Sequence, residues 1–336
     1  MTKVIDNITV IGAGAWGTAL AQVAATAGRN VTLYARSAHL ADHINTHRKN
    51  LLYLPSVTLR DDLHATHDMA AAVESAGMVL LVTPAQHMRE TLVKLLPLLP
   101  KGIPLINAAK GIEIKTGKLL SETAAEIAPD HPFAILSGPT FADETAKGLP
   151  TAITLATTAN EDSARIWAES LHNKTFRPYL SADVTGAEIG GAVKNVIAIA
   201  CGIVEGRGLG QNARAAVMTR GMAEIKRLGL AKGAKADTFI GLSGLGDLTL
   251  TCNSTSSRNF SLGFELGQGK TLADIMAKRN SVAEGVTTAR AIATHADALG
   301  VDMPICLAID HILHGGGNID EVITGLLSRA IRQEDA

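Results

Sequence analysis

The chain has 336 residues, 46% of them hydrophobic, and a formal net charge of −1. That length allows two domains with separate cores, and the near-neutral balance excludes the broad positive field that holds nucleic acid or an anionic membrane surface. The start MTKVIDNITV lacks the charged, apolar and small-residue segments of a signal peptide, and no run reaches the roughly 18 apolar residues of a spanning helix, so a cytoplasmic location is expected.

From the start to about residue 180, short β-branched runs alternate with Ala-rich helical stretches, the pattern of parallel strands joined by crossover helices. Strands are expected at Asn7–Gly12, Val31–Tyr34, Met78–Thr83, Leu105–Ala108, Phe133–Ser137 and Ala152–Ala156, with a short one near Thr175–Tyr179. Their hydrophobicity is continuous rather than alternating, as in strands covered on both faces. After about Ala187 the chain turns to long Ala-, Gly- and Leu-rich segments of helical spacing. The expected fold is α/β: an N-terminal Rossmann-like parallel-sheet domain, residues 1–187, followed by a mostly α-helical C-terminal domain, residues 188–336. Gly241–Gly246 and Asn253–Ser257 interrupt the helices and are candidate site loops. Cys201, Cys252 and Cys306 show no CxxC spacing and read as small core residues.

The turn Gly12-Ala13-Gly14-Ala15-Trp16-Gly17 follows the apolar strand Ile8–Ile11 and precedes an Ala-rich helix expected over Thr18–Ala27. In that setting the first glycine allows the tight turn, the second lets a dinucleotide pyrophosphate approach the backbone, and the third lets helix and strand pack closely. Free N–H groups and the positive helix end then face the phosphates. Trp16 either covers the phosphates or fills a gap. After the second strand, where an NAD-specific site carries a carboxylate for the ribose hydroxyls, stands Tyr34-Ala35-Arg36. Arg36 would attract a 2′-phosphate, so NADP(H) is the preferred cofactor, with NAD(H) as the alternative.

Ligands of an open parallel sheet bind beyond the carboxyl ends of the strands. Thr83-Pro84, Lys110-Gly111 and Gly138-Pro139-Thr140 lie at such ends, and Lys110 brings a charge to the crevice. In the second domain, Gly190–Ala198 holds a single charge, Lys194, in an otherwise apolar helix. Burial lowers a lysine pKa and suits it to exchange a proton with a hydroxyl near neutral pH, unless the stem alone is buried and the ammonium reaches solvent. Residues Thr251–Asn259 read as a loop rich in hydroxyls and amides and ending in Arg-Asn, suited to hold a phosphate. Asp247 just before it is either a partner for a lysine or substrate hydroxyl, or a helix N-cap.

These motifs together resemble NAD(P)-dependent glycerol-3-phosphate dehydrogenase of the bacterial type. The resemblance runs through Gly12–Ala19, Lys110-Gly111-Ile112-Glu113, Ser137–Ala142, Lys194-Asn195, Gly244-Leu245-Gly246-Asp247, Ser257-Arg258-Asn259 and Glu284-Gly285-Val286, in the family's order. It implies interconversion of sn-glycerol 3-phosphate and dihydroxyacetone phosphate, supplying glycerol 3-phosphate for phospholipid synthesis. Lys194 would be the general acid/base, with Lys110 and Asp247 binding and polarising the reacting oxygen. Gly138, Thr140, Ser257, Arg258 and Asn259 would contact the glycerol phosphate. Ala15, Trp16, Arg36, Ala142, Val282 and Glu284 would line the cofactor, with Lys110 and Arg258 reaching it as well. Ala15 stands where bacterial members commonly have serine. No metal is needed, because the lysines can polarise the oxygen, and the expected partner is the small-molecule substrate, with a homodimer left open.

A β-hydroxyacid dehydrogenase would want Asn or Gln four residues after the lysine, where this chain has Ala198. A non-catalytic NAD(P)-sensing protein would need neither a buried lysine nor a phosphate loop. His39, His43 and His47, spaced by four, and His64 and His67 are a weak pointer to metal, because no carboxylate stands with them in HExxH spacing.

Overall fold

The computed structural model describes residues 4–279, 283–296, 298, 300–331 and 333. Strands β1 (Asn7–Ile11), β2 (Asn30–Tyr34), β3 (Leu63–Thr66), β4 (Met78–Leu81), β5 (Leu105–Asn107), β6 (Phe133–Ser137), β7 (Thr151–Thr157) and β8 (Phe176–Ser181) form one sheet in the order β3-β2-β1-β4-β5-β6-β7-β8. Helices α1 (Ala15–Thr26), α2 (Ala38–His47), α3 (Met69–Val73), α4 (Met88–Leu95), α5 (Leu120–Ile127), α6 (Ala142–Ala146) and α7 (Glu161–Leu171) connect them. One face buries Ile8, Val10, Leu20 and Leu33, the other Ile11, Val79, Leu81 and Leu92. The strand order reverses between β1 and β4, and the crevice beyond their carboxyl ends is where Gly12 and Val82 meet.

The sheet departs from the sequence expectation in two places. Strands β1 to β6 are parallel to one another, but β7 runs antiparallel to β6 and β8 parallel to β7. The connection from β6 to β7 contains only the five-residue α6, which rises about 7.5 Å and cannot carry the chain back to the start of the sheet. Strand β3 was not expected at all. Its sequence Leu-His-Ala-Thr alternates between buried and open positions at the sheet edge, so it lacks the continuous apolar run of the covered strands.

The rest of the chain is helical: α8 (Val184–Gly206), α9 (Gly210–Ala231), a π-helical turn at Leu242–Gly246, α10 (Asp247–Cys252), α11 (Arg258–Gly267), α12 (Leu272–Ala277), α13 (Glu284–His295), α14 (Pro304–His314) and α15 (Ile319–Leu327). Helix α8 is buried without a break from Gly186 to Val204, as a helix apolar on all sides must be. Its length and an 18-residue window of mean hydropathy 1.6 would suffice to cross a membrane, which the count of apolar runs did not anticipate, and that whole window lies inside the protein. Neighbouring helices touch it backbone to backbone. A Cβ on Gly202 would come within 2.1 Å of the Phe260 carbonyl oxygen, and one on Gly263 within 2.0 Å of that of Ile199, so the α8–α11 contact admits only glycine at both positions. The three cysteines are free and buried.

Candidate functional site

The glycine turn begins where β1 ends. Gly12 has φ +118, and a Cβ there would lie 2.8 Å from the Val82 carbonyl oxygen, while one on Gly17 would lie 1.8 Å from that of Gly12. Glycine is therefore required at both. A Cβ on Gly14 would meet nothing within 4 Å, so the space in front of it is open. Helix α1 starts at Ala15, inside the motif and earlier than the expected Thr18, with Gly14 as an N-cap that offers no side chain. The N–H groups of the first turn are thus left for an outside acceptor. Ala15 and Trp16 are half-buried on that turn, and Trp16 Nε1 is buried without a partner among the described residues. Arg36 is exposed just past β2, beside the N-terminus of α2, with no ion pair to a described residue. Ala142 opens α6, which packs on α1.

The charged centre lies between the sheet and the helical domain. Lys194 on α8 and Asp247 at the start of α10 are buried, with Asp247 at 0% exposure. Lys194 Nζ donates to Asp247 Oδ1 at 2.5 Å and to Thr251 Oγ1 at 2.6 Å. Lys110 Nζ donates to the other carboxylate oxygen, Oδ2, at 2.5 Å, and to the Gly138 carbonyl at 3.1 Å. Lys110 is presented by the turn after β5, which Asn107 clamps by accepting from Ala109 N and donating to Ala109 O, both at 3.1 Å. Burial pulls the Lys194 pKa down to about 8, with the Asp247 charge opposing and the Lys110 charge reinforcing. Lys194 therefore keeps its ammonium inside the protein, and Asp247 is held by both lysines rather than serving as a bare helix cap.

The Leu242–Gly246 segment, expected as a loop, is a π-helical turn pressed on α8: a Cβ on Gly190 would come within 2.4 Å of the Ser243 carbonyl oxygen. The loop expected over Thr251–Asn259 is shorter. Thr251 and Cys252 complete α10, and Arg258 and Asn259 open α11. Ser257 is the α11 N-cap, its hydroxyl accepting from Phe260 N at 3.2 Å. Arg258 is exposed on the first turn of that helix. Asn259 ties three helices together, its Oδ1 accepting from Gly285 N and its Nδ2 donating to Asn195 Oδ1, both at 2.9 Å. Thr140 donates to the Gly138 carbonyl at 3.3 Å.

Glu284 heads α13. Burial pushes its carboxyl up to about 7, against backbone hydrogen bonding at Ala85, the Arg258 charge and a bond from Thr287. Among the described residues its Oε2 has no hydrogen-bond partner, and neither do Thr288 Oγ1, Thr83 Oγ1 and Ser137 Oγ, all buried. Glu284 Oε2 and Thr288 Oγ1 lie 3.6 and 3.7 Å from the Cβ position of Gly111, so they converge beside Lys110. Unpaired buried polar atoms are costly unless a ligand completes them. Together with the open cradle at Gly14 and exposed Arg36, they fit a dinucleotide with polar groups at both ends. Thr83 lies at a strand end and Thr251 in a hydroxyl-rich stretch that the sequence marked out, though neither was given a role of its own, and the sequence carried no sign of Thr288, since threonine is ordinary in helices. Val282 lies outside the described residues. Of the histidines, His43 and His47 pack ring to ring at 4.5 Å, and among the described residues no three His, Cys, Asp or Glu converge as metal ligands.

Residues 7–163 match the family model of the NAD-dependent glycerol-3-phosphate dehydrogenase N-terminus and residues 183–324 that of its C-terminus. The glycerol-3-phosphate dehydrogenase (NAD(P)+) of Parvibaculum lavamentivorans is 54% identical, covering 99% of this chain and 100% of the relative. That of Rhodospirillum rubrum is also 54% identical, covering 99% and 95%. The crystal structure of glycerol-3-phosphate dehydrogenase from Coxiella burnetii superposes with a TM-score of 0.92 at 35% identity, covering 98% of this chain and 100% of that one. These matches span both halves of the site and set aside the sensing protein and the β-hydroxyacid dehydrogenase. The chain belongs to the NAD-dependent glycerol-3-phosphate dehydrogenase family and is an NAD(P)-dependent oxidoreductase of glycerol 3-phosphate.

Proposed function

We propose that Lys194 is the general acid/base for interconversion of sn-glycerol 3-phosphate and dihydroxyacetone phosphate. The observation that carries this is the buried lysine–aspartate–lysine chain, in which one fully enclosed carboxylate orients two ammonium groups. The bound dinucleotide supplies or accepts the hydride at the nicotinamide. The protein must then bring a proton to the substrate C2 oxygen as it becomes an alkoxide, or remove one in the oxidation. Lys194 moves that proton. Lys110 holds positive charge beside the same oxygen, which stabilises the developing alkoxide. Asp247 positions both ammonium groups. Thr251 accepts from Lys194 and donates to the Asp247 carbonyl at 2.6 Å, which fixes the lysine rotamer.

The substrate phosphate is assigned to the N-terminus of α11, where first-turn N–H groups, Ser257 and exposed Arg258 meet. Gly138, Thr140 and the remaining amide hydrogen of Asn259 would complete the contacts. Arg258→Ala should raise the KM for dihydroxyacetone phosphate by about ten- to a hundredfold, the value of a charged hydrogen bond. Steady-state kinetics at saturating cofactor read this directly, and an unchanged KM would move the phosphate elsewhere.

The dinucleotide is assigned to Gly12, Gly14, Ala15, Trp16 and Gly17 for the pyrophosphate, with Ala142 alongside, and to Glu284, Lys110 and Arg258 toward the nicotinamide. NADP(H) is preferred over NAD(H) because Arg36 is exposed, makes no ion pair to a described residue and stands beside a helix N-terminus. Arg36→Asp should weaken NADPH by about tenfold relative to NADH. Equal effects on both cofactors would show that Arg36 does not read the 2′-phosphate. A domain division near Ala187 is supported by Val184 and Ala187, which still pack on Ile135 and Ala156 of the sheet, whereas Val193 and later α8 residues pack among helices. A cytoplasmic enzyme feeding phospholipid synthesis, with a homodimer as its candidate assembly, completes the proposal.

A further inference from the structure

Asn50 belongs to none of the motifs above, yet it is fully buried directly beneath the glycine turn. Its Nδ2 donates to the Ala13 carbonyl at 2.9 Å and to Thr18 Oγ1 at 2.8 Å. Its Oδ1 accepts from Tyr53 N at 3.1 Å, and its own carbonyl accepts from Leu54 N at 2.8 Å. The amide has one workable orientation, because turning it over would set Oδ1 against the Ala13 carbonyl and two donors against the Tyr53 N–H. A dedicated loop delivers it. Arg48 ends α2 in the left-handed region at φ +53, its carbonyl accepts from Leu59 N at 2.7 Å, and its Nη1 donates to the Leu63 carbonyl at 2.8 Å.

We propose that Asn50 is a positioning residue for the cofactor: by holding the Ala13 carbonyl it aims the Gly14 N–H at the dinucleotide pyrophosphate. The two groups belong to one peptide unit. Across a trans peptide the C=O and N–H point in opposite directions, so pulling the carbonyl down toward Asn50 turns the N–H up into the open space before Gly14. No described residue accepts from that N–H. The turn needs such a clamp, since a glycine-flanked peptide rotates easily without one. Thr18, the second acceptor, sits on the first turns of α1, so one side chain fixes both the turn and the helix whose N-terminus faces the phosphates.

The inference rests on the pyrophosphate lying on the Gly12–Gly17 turn. Its test is equilibrium binding by calorimetry with NADH and with ADP-ribose, which keeps the pyrophosphate and lacks the nicotinamide, alongside steady-state kinetics. Asn50→Leu preserves volume and removes both donated bonds. Its Kd for both ligands should rise by about tenfold or more, with kcat at saturating cofactor and the KM for dihydroxyacetone phosphate within about twofold of the parent. An unchanged Kd in a folded Asn50→Leu overturns the proposal, and so does a parallel loss of kcat, both KM values and thermal stability, which would mark a merely structural residue. If the leucine variant does not fold, Asn50→Asp decides. Its carboxylate cannot donate, so ADP-ribose affinity relative to the parent should be lost at about pH 8 and recover toward about pH 6 as the acid protonates and donates again. Parent-like affinity at about pH 8 overturns the proposal. Gly14→Asp separates the two readings: if it leaves ADP-ribose binding intact, the pyrophosphate does not lie on this turn, and the failure belongs to that placement.

Discussion

Alanine in place of Lys194 is expected to lower turnover by about two to four orders of magnitude while NADH binding is retained, the span attributed to a positioned general acid or base. The ammonium is inside the protein, held by Asp247 and Thr251, while Lys110 is tied to the other carboxylate oxygen and to the Gly138 carbonyl, so alanine leaves no proton donor at the Lys194 position itself. The pH profile gives an independent check. The Lys194 pKa is drawn to about 8 by burial. Reduction needs the protonated lysine, so kcat/KM for dihydroxyacetone phosphate should fall as pH rises through about 8. Oxidation needs the neutral amine, and kcat/KM for glycerol 3-phosphate should rise over the same range. Both limbs should vanish in Lys194→Ala, and added small primary amines should restore part of the rate. A variant with near-parental kcat would remove Lys194 from the mechanism.

What the sequence made legible was local or chemically out of place. The strand, turn and first helix of the cofactor site are contiguous, and the steric demands at Gly12 and Gly17 follow from neighbours within one supersecondary unit. Lys194 was legible because a lone charge in an apolar helix requires a partner, although only the fold supplies Asp247 and Thr251 as those partners. The reversal of β7 and β8 was not legible. A continuous apolar run looks alike in parallel and antiparallel strands, and direction was decided by the shortness of α6. The hydroxyl-rich composition of Thr251–Asn259 suggested loop throughout, yet Thr251 and Cys252 are helical because tertiary contact with α8 outweighs their weak helix propensity. Asn50 gave no signal at all: it is 37 positions from Ala13, and nothing in the residues around it marks a clamp on a distant turn.

Asn50 acts on the cofactor, whereas the second large effect belongs to Asp247, the only carboxylate to which either lysine donates among the described residues. Asp247→Asn keeps the shape but leaves the buried Lys194 ammonium and the partly buried Lys110 ammonium without a counter-charge, and losing the partner of a buried charge costs about 3–5 kcal/mol in comparable settings. Urea unfolding near neutral pH should show a loss of that order. The Lys194 pKa should also fall further below 8, because burial and Lys110 both lower it and the opposing attraction is gone. The sign follows for stability. With the folded pKa below the unfolded value of 10.5, the unfolded chain binds more protons between the two, so stability rises with pH across that window. The Lys194 share of the Asp247→Asn deficit should therefore be largest below the variant's lowered pKa and close as pH rises to about 8, above which both proteins hold the neutral amine. The catalytic counterpart is a reduction limb displaced to lower pH, with little activity left near neutrality because Lys194 has already lost its proton. Unaltered stability together with an unmoved limb would show that Asp247 is not the counter-ion of this pair of lysines.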